Sequence, residues 1–104
     1  MDKYYITITG TWFYEGHEFI EPEMEVMLEK DKDNEHDSEA IAVKMPAIGK
    51  IGYVANNPKT VIGECMSAGR LYDKIGDTAK AKVLYKMDRG LVCEVEREIV
   101  VGEE

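Results

Sequence analysis

Residues able to do chemistry are few in this sequence, and their spacing matches none of the common catalytic motifs. His17 and His36 are the candidates for imidazole acid-base catalysis. The sequence contains no GxSxG, HExxH, phosphate-binding glycine loop or dinucleotide-binding motif. An EF-hand loop counted from Asp31 would place His36 where glycine is needed and Ala42 where glutamate is needed. We therefore expect a protein that is not an enzyme and that uses no metal and no cofactor.

The two cysteines, Cys65 and Cys93, form no CxxC motif and have no pair of histidines nearby. This spacing favours reduced, buried thiols over a disulfide framework or a zinc site. The N-terminus lacks the zones of a secretory signal, and the apolar runs are too short to cross a membrane. We expect a cytoplasmic protein without a membrane partner.

The formal net charge of −8 is unevenly distributed along the 104 residues. Between residues 15 and 39, eleven acidic side chains stand against Lys30 and Lys32, whereas bases outnumber acids from residue 40 to residue 97. Screening at physiological salt acts over about 8 Å, so the local sign matters more to a partner than the total. Charge alone leaves the class of partner open.

The sequence pattern predicts that most of the elements that position these residues are β-strands. Strands are predicted at Tyr4–Gly10, Met24–Lys30, Ala40–Met45 and Lys50–Val54, with a polar loop at residues 31–39. The segments AKAKVLYK and LVCEVERE flank the turn MDRG and predict a long hairpin. The tail 99–104 either extends the last strand or frays.

One helix of about three turns is predicted to start at Asn57-Pro58, which offers an N-cap and a first-turn proline. Val61, Ile62, Cys65 and Met66 follow at helical spacing, and Gly69 would end the helix. The prediction is one mainly β domain over residues 1–104, with its core in residues 4–98. Five or six strands and one or two short helices favour a small β-barrel, because closure removes exposed strand edges.

Three consecutive aromatic residues, Trp12, Phe13 and Tyr14, follow the first strand. Adjacent side chains on an extended backbone face opposite ways, so the three cannot all enter one core. We expect two of them in the core and at least one exposed.

The run LEKDKDNEHDSEAIAVKMPAIGKIGYVANN, residues 28–57, resembles the central signature of the HIRAN domain. In that signature a loop with Asn, an aromatic or His, and Asp precedes an Ala-Ile-x-Val strand and a strand end with Gly-Tyr or Gly-His. The aromatic segment after an early glycine also resembles one in that family. The resemblance extends over residues 4–98.

This resemblance implies an OB-like β-barrel that binds single-stranded DNA, in some relatives at its 3′ end. Trp12, Phe13 and Tyr14 would contact backbone and stack on terminal bases. Asn34, His36 and Asp37 match the loop signature, with His36 as the stacking ring and Asp37 as acceptor for the terminal 3′-hydroxyl. Tyr53 falls beside the phosphate path, and Asn56 lies where a basic residue can occur. Lys59, a base at the predicted helix, completes the predicted site.

The sequence departs from the family pattern at three positions. Trp12 stands where a phosphate-binding Arg can occur, Glu35 replaces a common Pro, and Asn56 removes a cation. Fewer cations predict weaker and less salt-sensitive binding. Because no helicase or nuclease motif accompanies the domain, we expect it to act alone or with a separate DNA-processing enzyme, as an accessory of repair or replication.

Two alternatives stay open from the sequence. Asn34 and Asp37 can serve only to cap their own loop, Tyr53 can be a half-buried strand residue, His36 a loop histidine and Lys59 a solvated surface cation. The whole domain can instead be a protein-interaction module that presents the acidic segment 15–39 to a basic partner.

Overall fold

Six antiparallel strands form a closed barrel in the order β1-β4-β3-β2-β5-β6, and β6 pairs with β1 to complete it. The computed structural model describes residues 3–14 and 17–96. The strands are β1 (Tyr4–Thr9), β2 (Glu25–Lys30), β3 (Ile41–Met45), β4 (Gly49–Val54), β5 (Thr78–Met87) and β6 (Gly90–Glu96). The mainly β class and the small OB-like barrel predicted from the sequence are confirmed.

Alternating apolar residues fill the barrel interior, as the strand patterns predict. Ile6 and Ile8 of β1 are fully buried, and Val26 and Leu28 of β2 face the same core. On the last hairpin the buried side chains include Ala79, Ala81 and Val83 of β5 and Leu91, Cys93 and Val95 of β6. The period of two therefore assigns the correct face on both arms of this hairpin.

The junction between β1 and β4 is the shortest pairing that completes the barrel. It contains two residue pairs, Ile8 with Val54 and Thr9 with Tyr53, whereas β1 and β6 share five. The strands approach closely here, since a Cβ atom at Gly52 would lie 2.4 Å from the Thr9 carbonyl oxygen. Glycine at this position is therefore a requirement of the junction.

The predicted helix at residues 57–69 is wrong. A single turn forms after Asn57, where the amide of Val61 donates to the Asn57 carbonyl (3.1 Å). The chain then turns through Gly63, whose φ is +57°, and follows β1: the Ile62 amide donates to Thr7 Oγ1 (2.9 Å) and the Met66 amide to the Tyr5 carbonyl (2.6 Å). Tertiary hydrogen bonds to β1 thus replace the helical ones.

The α-helix of the structure, α1 (Ala68–Tyr72), begins where the predicted helix was to end. Ser67 is its N-cap and accepts a hydrogen bond from the Arg70 amide. Gly69 lies inside this helix, and a Cβ atom there would be 2.4 Å from Oε1 of the exposed Glu39 side chain, which is free to turn away. A 3₁₀ turn, His17–Phe19, is the second short helix.

The aromatic residues after β1 also depart from expectation, since none of the three enters the core. Gly10 has a φ of +81° and starts a turn in which the Phe13 amide donates to the Gly10 carbonyl (3.0 Å). Trp12, Phe13 and Tyr14 are 59%, 90% and 39% exposed. The expectation of two core aromatics assumed an extended backbone, and the turn removes that constraint. We call these three residues the aromatic turn.

The cysteines follow the prediction in part. Cys93 is fully buried, and burial raises the pKa of its thiol to about 12, whereas Cys65 is only half-buried. Both are free thiols. The tail 99–104 lies outside the described residues. The α-helix of the described chain, with five residues, is far too short to span a bilayer.

Candidate nucleic-acid interface

The loop between β2 and β3, residues 31–40, is organised around the side chain of Asn34. Its Oδ1 accepts hydrogen bonds from the amides of His36 (2.8 Å) and Asp37 (2.9 Å), and its Nδ2 donates to Asp31 Oδ2 (3.2 Å). Short polar side chains bind their own backbone readily in this way. Asn34 therefore fixes the two following side chains that the sequence predicts to be functional.

Asp37 connects this loop to the chain that follows β4. Its Oδ1 accepts from the Glu39 amide (2.9 Å) and its Oδ2 accepts from Asn56 Nδ2 (3.0 Å). The Oδ1 of Asn56 accepts in turn from the Gly69 amide at the start of α1 (2.8 Å). Asp37 does cap its own loop, as the simpler interpretation predicted. A carboxylate has about four acceptor positions, so these two bonds leave capacity for a ligand.

Tyr53 lies in a short chain of hydrogen bonds with two residues that the sequence analysis missed. Its hydroxyl donates to Asp31 Oδ2 (2.8 Å) and accepts from Lys50 Nζ (2.8 Å). The bonds from Tyr53 and Asn34 lower the pKa of the Asp31 carboxyl, and the bond to Tyr53 raises the pKa of Lys50. The ring of Tyr53 is thus held in place by a carboxylate and an ammonium group that both stay charged near neutral pH.

An open groove of about 690 Å³ runs between the β2–β3 loop and the end of β4. Six of the nine predicted site residues line it: Tyr14, Asn34, His36, Asp37, Tyr53 and Asn56. Three aromatic rings and one carboxylate therefore face a common space. Thr9, Asn57, Pro58 and Thr60 are among the remaining lining residues.

Trp12, Phe13 and Lys59 do not line this groove. The Trp12 ring stacks on the buried His17 with centroids 4.0 Å apart, and its Nε1 donates to the Asp88 carbonyl (3.1 Å). Phe13 projects into solvent from the aromatic turn. Lys59 is exposed, and its amide donates to Asn57 Oδ1 (2.8 Å). Their predicted contacts with DNA stay predictions.

The acidic segment 15–39 is divided by the fold. Ion pairs join Glu21 to Lys86 (3.6 Å) and Glu23 to Lys82 (3.9 Å), and Glu29 pairs with Lys44. Asp31, Asp37 and Glu39 take part in the hydrogen bonds around the groove. Six acidic side chains of the segment therefore have partners within the domain, while the Glu21 and Glu23 side chains stay 61% and 79% exposed. Glu15 lies outside the described residues.

Sequence reasoning missed Asp31 and Lys50 because their importance depends on strand register. Ala42 of β3 lies opposite both Glu29 of β2 and Tyr53 of β4, which brings Asp31, the first residue of the β2–β3 loop, within reach of the Tyr53 hydroxyl. Lys50 and Tyr53 are three positions apart, a spacing that places side chains on opposite faces of a regular strand. The register shift at Val43 and Lys44 brings the two side chains together, and the sequence does not reveal this shift. In the described part of the chain, no group of three or more His, Cys, Asp or Glu side chains is arranged to bind a metal ion.

Comparison with known families decides the classification. The family model described as HIRAN domain matches residues 1–89. The chain belongs to the HIRAN domain family. HIRAN domains are generally non-catalytic DNA-binding modules, and membership of the family is consistent with a DNA-binding module.

A solved structure supports the fold of this HIRAN domain. A crystal structure of a protein from Lactobacillus plantarum is similar to it with a TM-score of 0.56 and 20% sequence identity. The similarity covers 92% of this chain and 98% of the other. At this identity the likeness concerns the fold alone. The comparison with curated proteins gave no match.

Proposed function

We propose that this HIRAN domain binds single-stranded DNA at its 3′-hydroxyl end, without catalysing a reaction on it. The observation that carries the proposal is the position of the Asp37 carboxylate in a groove lined by the rings of Tyr14, His36 and Tyr53. The family's broad function and the resemblance of residues 34–37 to its loop signature support the same assignment.

A carboxylate repels the phosphates of an internal stretch of DNA. At a 3′ end, however, the last deoxyribose carries a free hydroxyl that can donate a hydrogen bond to it. A hydrogen bond to an ionised acceptor is about twice as strong as a neutral one. A groove with Asp37 on its wall therefore favours a strand end over the interior of a strand.

The three rings offer stacking surfaces for the terminal bases. Base stacking on an aromatic side chain contributes about 1–3 kcal/mol per base and tolerates any sequence. The Tyr53 ring is fixed by its bonds to Asp31 and Lys50, so less conformational freedom is lost when a base stacks on it. We expect binding that depends on the chemistry of the end more than on sequence.

The experiment compares two labelled oligonucleotides of the same sequence, one ending in a 3′-hydroxyl and one in a 3′-phosphate. Fluorescence anisotropy should show tighter binding of the hydroxyl end, because a terminal phosphate meets the like charge of Asp37. Asp37→Asn removes the charge but keeps an oxygen that can accept from the Glu39 amide. The preference for the hydroxyl end should collapse in this variant.

Glu35→Gln is the matched control, since it removes one charge from an exposed position of the same loop. It should keep the wild-type preference. Equal affinity of the wild-type protein for both ends would show that Asp37 is only a loop cap. Binding of basic peptides but of neither oligonucleotide would instead favour the acidic segment as a protein-binding surface. A place in the cytoplasm as an accessory to a DNA-processing enzyme is part of the same proposal.

A further inference from the structure

Among the described residues, Lys50 is the basic side chain with the closest contacts to the aromatic residues that line the groove. It is half-buried on β4, and its Nζ lies 2.8 Å from the Tyr53 hydroxyl and 4.8 Å from the centroid of the Tyr53 ring. The same Nζ lies 5.9 Å from the centroid of the Tyr14 ring. Lys50 therefore lies beside two of the three rings that line the groove, although it lines the neighbouring polar cleft and not the groove itself.

The groove wall itself carries no Lys or Arg among its lining residues in the described chain. A strand of DNA in this groove brings phosphates with it, and cationic side chains are the usual partners of DNA phosphates. In the described chain, Lys50 is the cationic side chain that lies close to the centroids of both the Tyr14 ring (5.9 Å) and the Tyr53 ring (4.8 Å).

The lysines that share a polar cleft with Lys50 are engaged elsewhere. Lys44 pairs with Glu29, Lys32 with Asp77 (2.9 Å), and Lys30 donates to the Ile75 carbonyl (3.0 Å) while lying over the Tyr72 ring. Lys50 instead contacts a neutral phenol, and no carboxylate of residues 3–14 and 17–96 lies within 4.0 Å of its Nζ. An ammonium group has three donors, so two remain after the bond to Tyr53.

We propose that Lys50 is a phosphate-binding residue of this groove, which contacts the internucleotide phosphate next to the 3′-terminal nucleoside. The inference rests on the proposed function and adds one part of the ligand to it, the internucleotide phosphate that would lie between Tyr14 and Tyr53. The site then holds opposite charges for opposite ends of one nucleotide: Asp37 for the hydroxyl and Lys50 for the phosphate. The bond to Tyr53 couples the position of the ammonium group to the ring on which the base stacks.

The test uses the full chain and a short 5′-labelled oligothymidylate with a 3′-hydroxyl. A second probe replaces its last phosphodiester with a neutral methylphosphonate. Wild-type protein should bind the second probe about three- to fivefold more weakly, the upper part of the range of an exposed ion pair. The Lys50→Met variant should bind the natural probe more weakly than wild type by a similar factor, and it should bind the two probes with equal affinity.

Two further variants separate charge from structure. Lys82→Met removes one positive charge from β5, where Lys82 is 42% exposed and pairs with Glu23, and should behave as wild type. Lys50→Arg keeps the charge and should keep the sensitivity to methylphosphonate. The slope of log affinity against log salt should fall by about 0.7 in Lys50→Met alone.

The outcomes distinguish this inference from the proposed function. If Lys50→Met keeps the full sensitivity to methylphosphonate, or if Lys82→Met weakens binding equally, Lys50 is not a phosphate-binding residue although DNA binding stands. If wild-type protein binds neither probe, both proposals are wrong. Thermal melting of Lys50→Met at the wild-type temperature shows that the loss does not come from unfolding.

Discussion

His17 is a buried histidine that supports the aromatic turn from beneath. Its Nδ1 lies 2.7 Å from Thr11 Oγ1, and its ring stacks on Trp12. Burial lowers the pKa of His17 below its ordinary value of 6.5, Lys86 lowers it further, and Asp88 opposes the shift. The folded protein thus disfavours the protonated ring, and below about pH 6.5 the unfolded chain binds more protons.

The contribution of His17 to the free energy of unfolding is therefore complete above pH 6.5 and declines as the pH falls toward the lower pKa of the folded state. We expect the free energy of unfolding to drop less between about pH 7.5 and about pH 5 in His17→Gln than in wild type. Urea denaturation at the two pH values measures this. Parallel behaviour of His17→Gln and the wild type over this pH range would contradict the prediction.

His36 tests the stacking part of the interface. Its ring is exposed and lines the groove, so His36→Ala should weaken binding of single-stranded DNA about tenfold if one base stacks on it. Phe13→Ala removes an exposed ring outside the groove and should weaken the binding of single-stranded DNA less than His36→Ala does. Unchanged affinity of His36→Ala in a folded protein would remove this ring from the interface.

At the scale of residues, the sequence predicted those groove-lining residues that lie together in one short loop or at the end of one strand. Asn34, His36 and Asp37 lie within four positions, and a single Asx-stabilised loop brings them together. Lys50 and Asp31 were missed because they meet only through the Tyr53 hydroxyl, across the register of two strands. Sequence patterns of period two fix which face a side chain occupies but not which neighbour lies opposite.

At the scale of elements, the last hairpin is the part that the sequence predicts best. Val83 is fully buried and Val95 is 6% exposed, each at the alternating position expected for its strand. Val83→Asp or Val95→Asp would bury an unpaired charge and should lower the free energy of unfolding by about 3 kcal/mol or more. Denaturant melts of both variants measure the loss.

Tyr85→Asp is the control for this prediction, because it adds the same charge to β5 at a position that is 63% exposed. It should change the free energy of unfolding far less. Melting of Val83→Asp at the wild-type denaturant concentration would mean that the register of β5 and β6 is wrong.

The helix predicted at residues 57–69 shows where local signals fail. Asn57 and Pro58 do begin a turn, but Thr7 and Tyr5 of β1 then take the amides of Ile62 and Met66. Those partners lie more than fifty positions away in the sequence, so no local pattern could indicate them. The apolar spacing that suggested a helical face instead packs half-buried side chains beside the barrel.

At the scale of the whole molecule, a net charge of −8 must be reconciled with a nucleic-acid ligand. Ion pairs within the domain neutralise part of the acidic segment, but they also engage Lys44, Lys82 and Lys86. Few basic side chains therefore remain that could contact DNA phosphates and so release the counterions bound to them. The salt dependence of binding should therefore correspond to about two to four released ions.

Anisotropy titrations over a range of salt concentrations give this number directly. A slope that corresponds to about ten ions would place the DNA on a basic surface other than the groove. Far-ultraviolet circular dichroism dominated by β signal would accompany an intact barrel throughout the series.

The two-pair junction between β1 and β4 has a consequence for hydrogen exchange. Thr9 and Tyr14 border the groove from the β1 side, whereas Tyr53 and Val54 border it from β4, so a bound strand would bridge the junction. The Ala55 amide, which donates to the Thr7 carbonyl (2.7 Å), should exchange faster than the amide of the fully buried Val83, which donates to the Met24 carbonyl (2.9 Å). Saturation with a 3′-hydroxyl oligonucleotide should slow exchange at Ala55 selectively, because the ligand then closes the place where the barrel opens first.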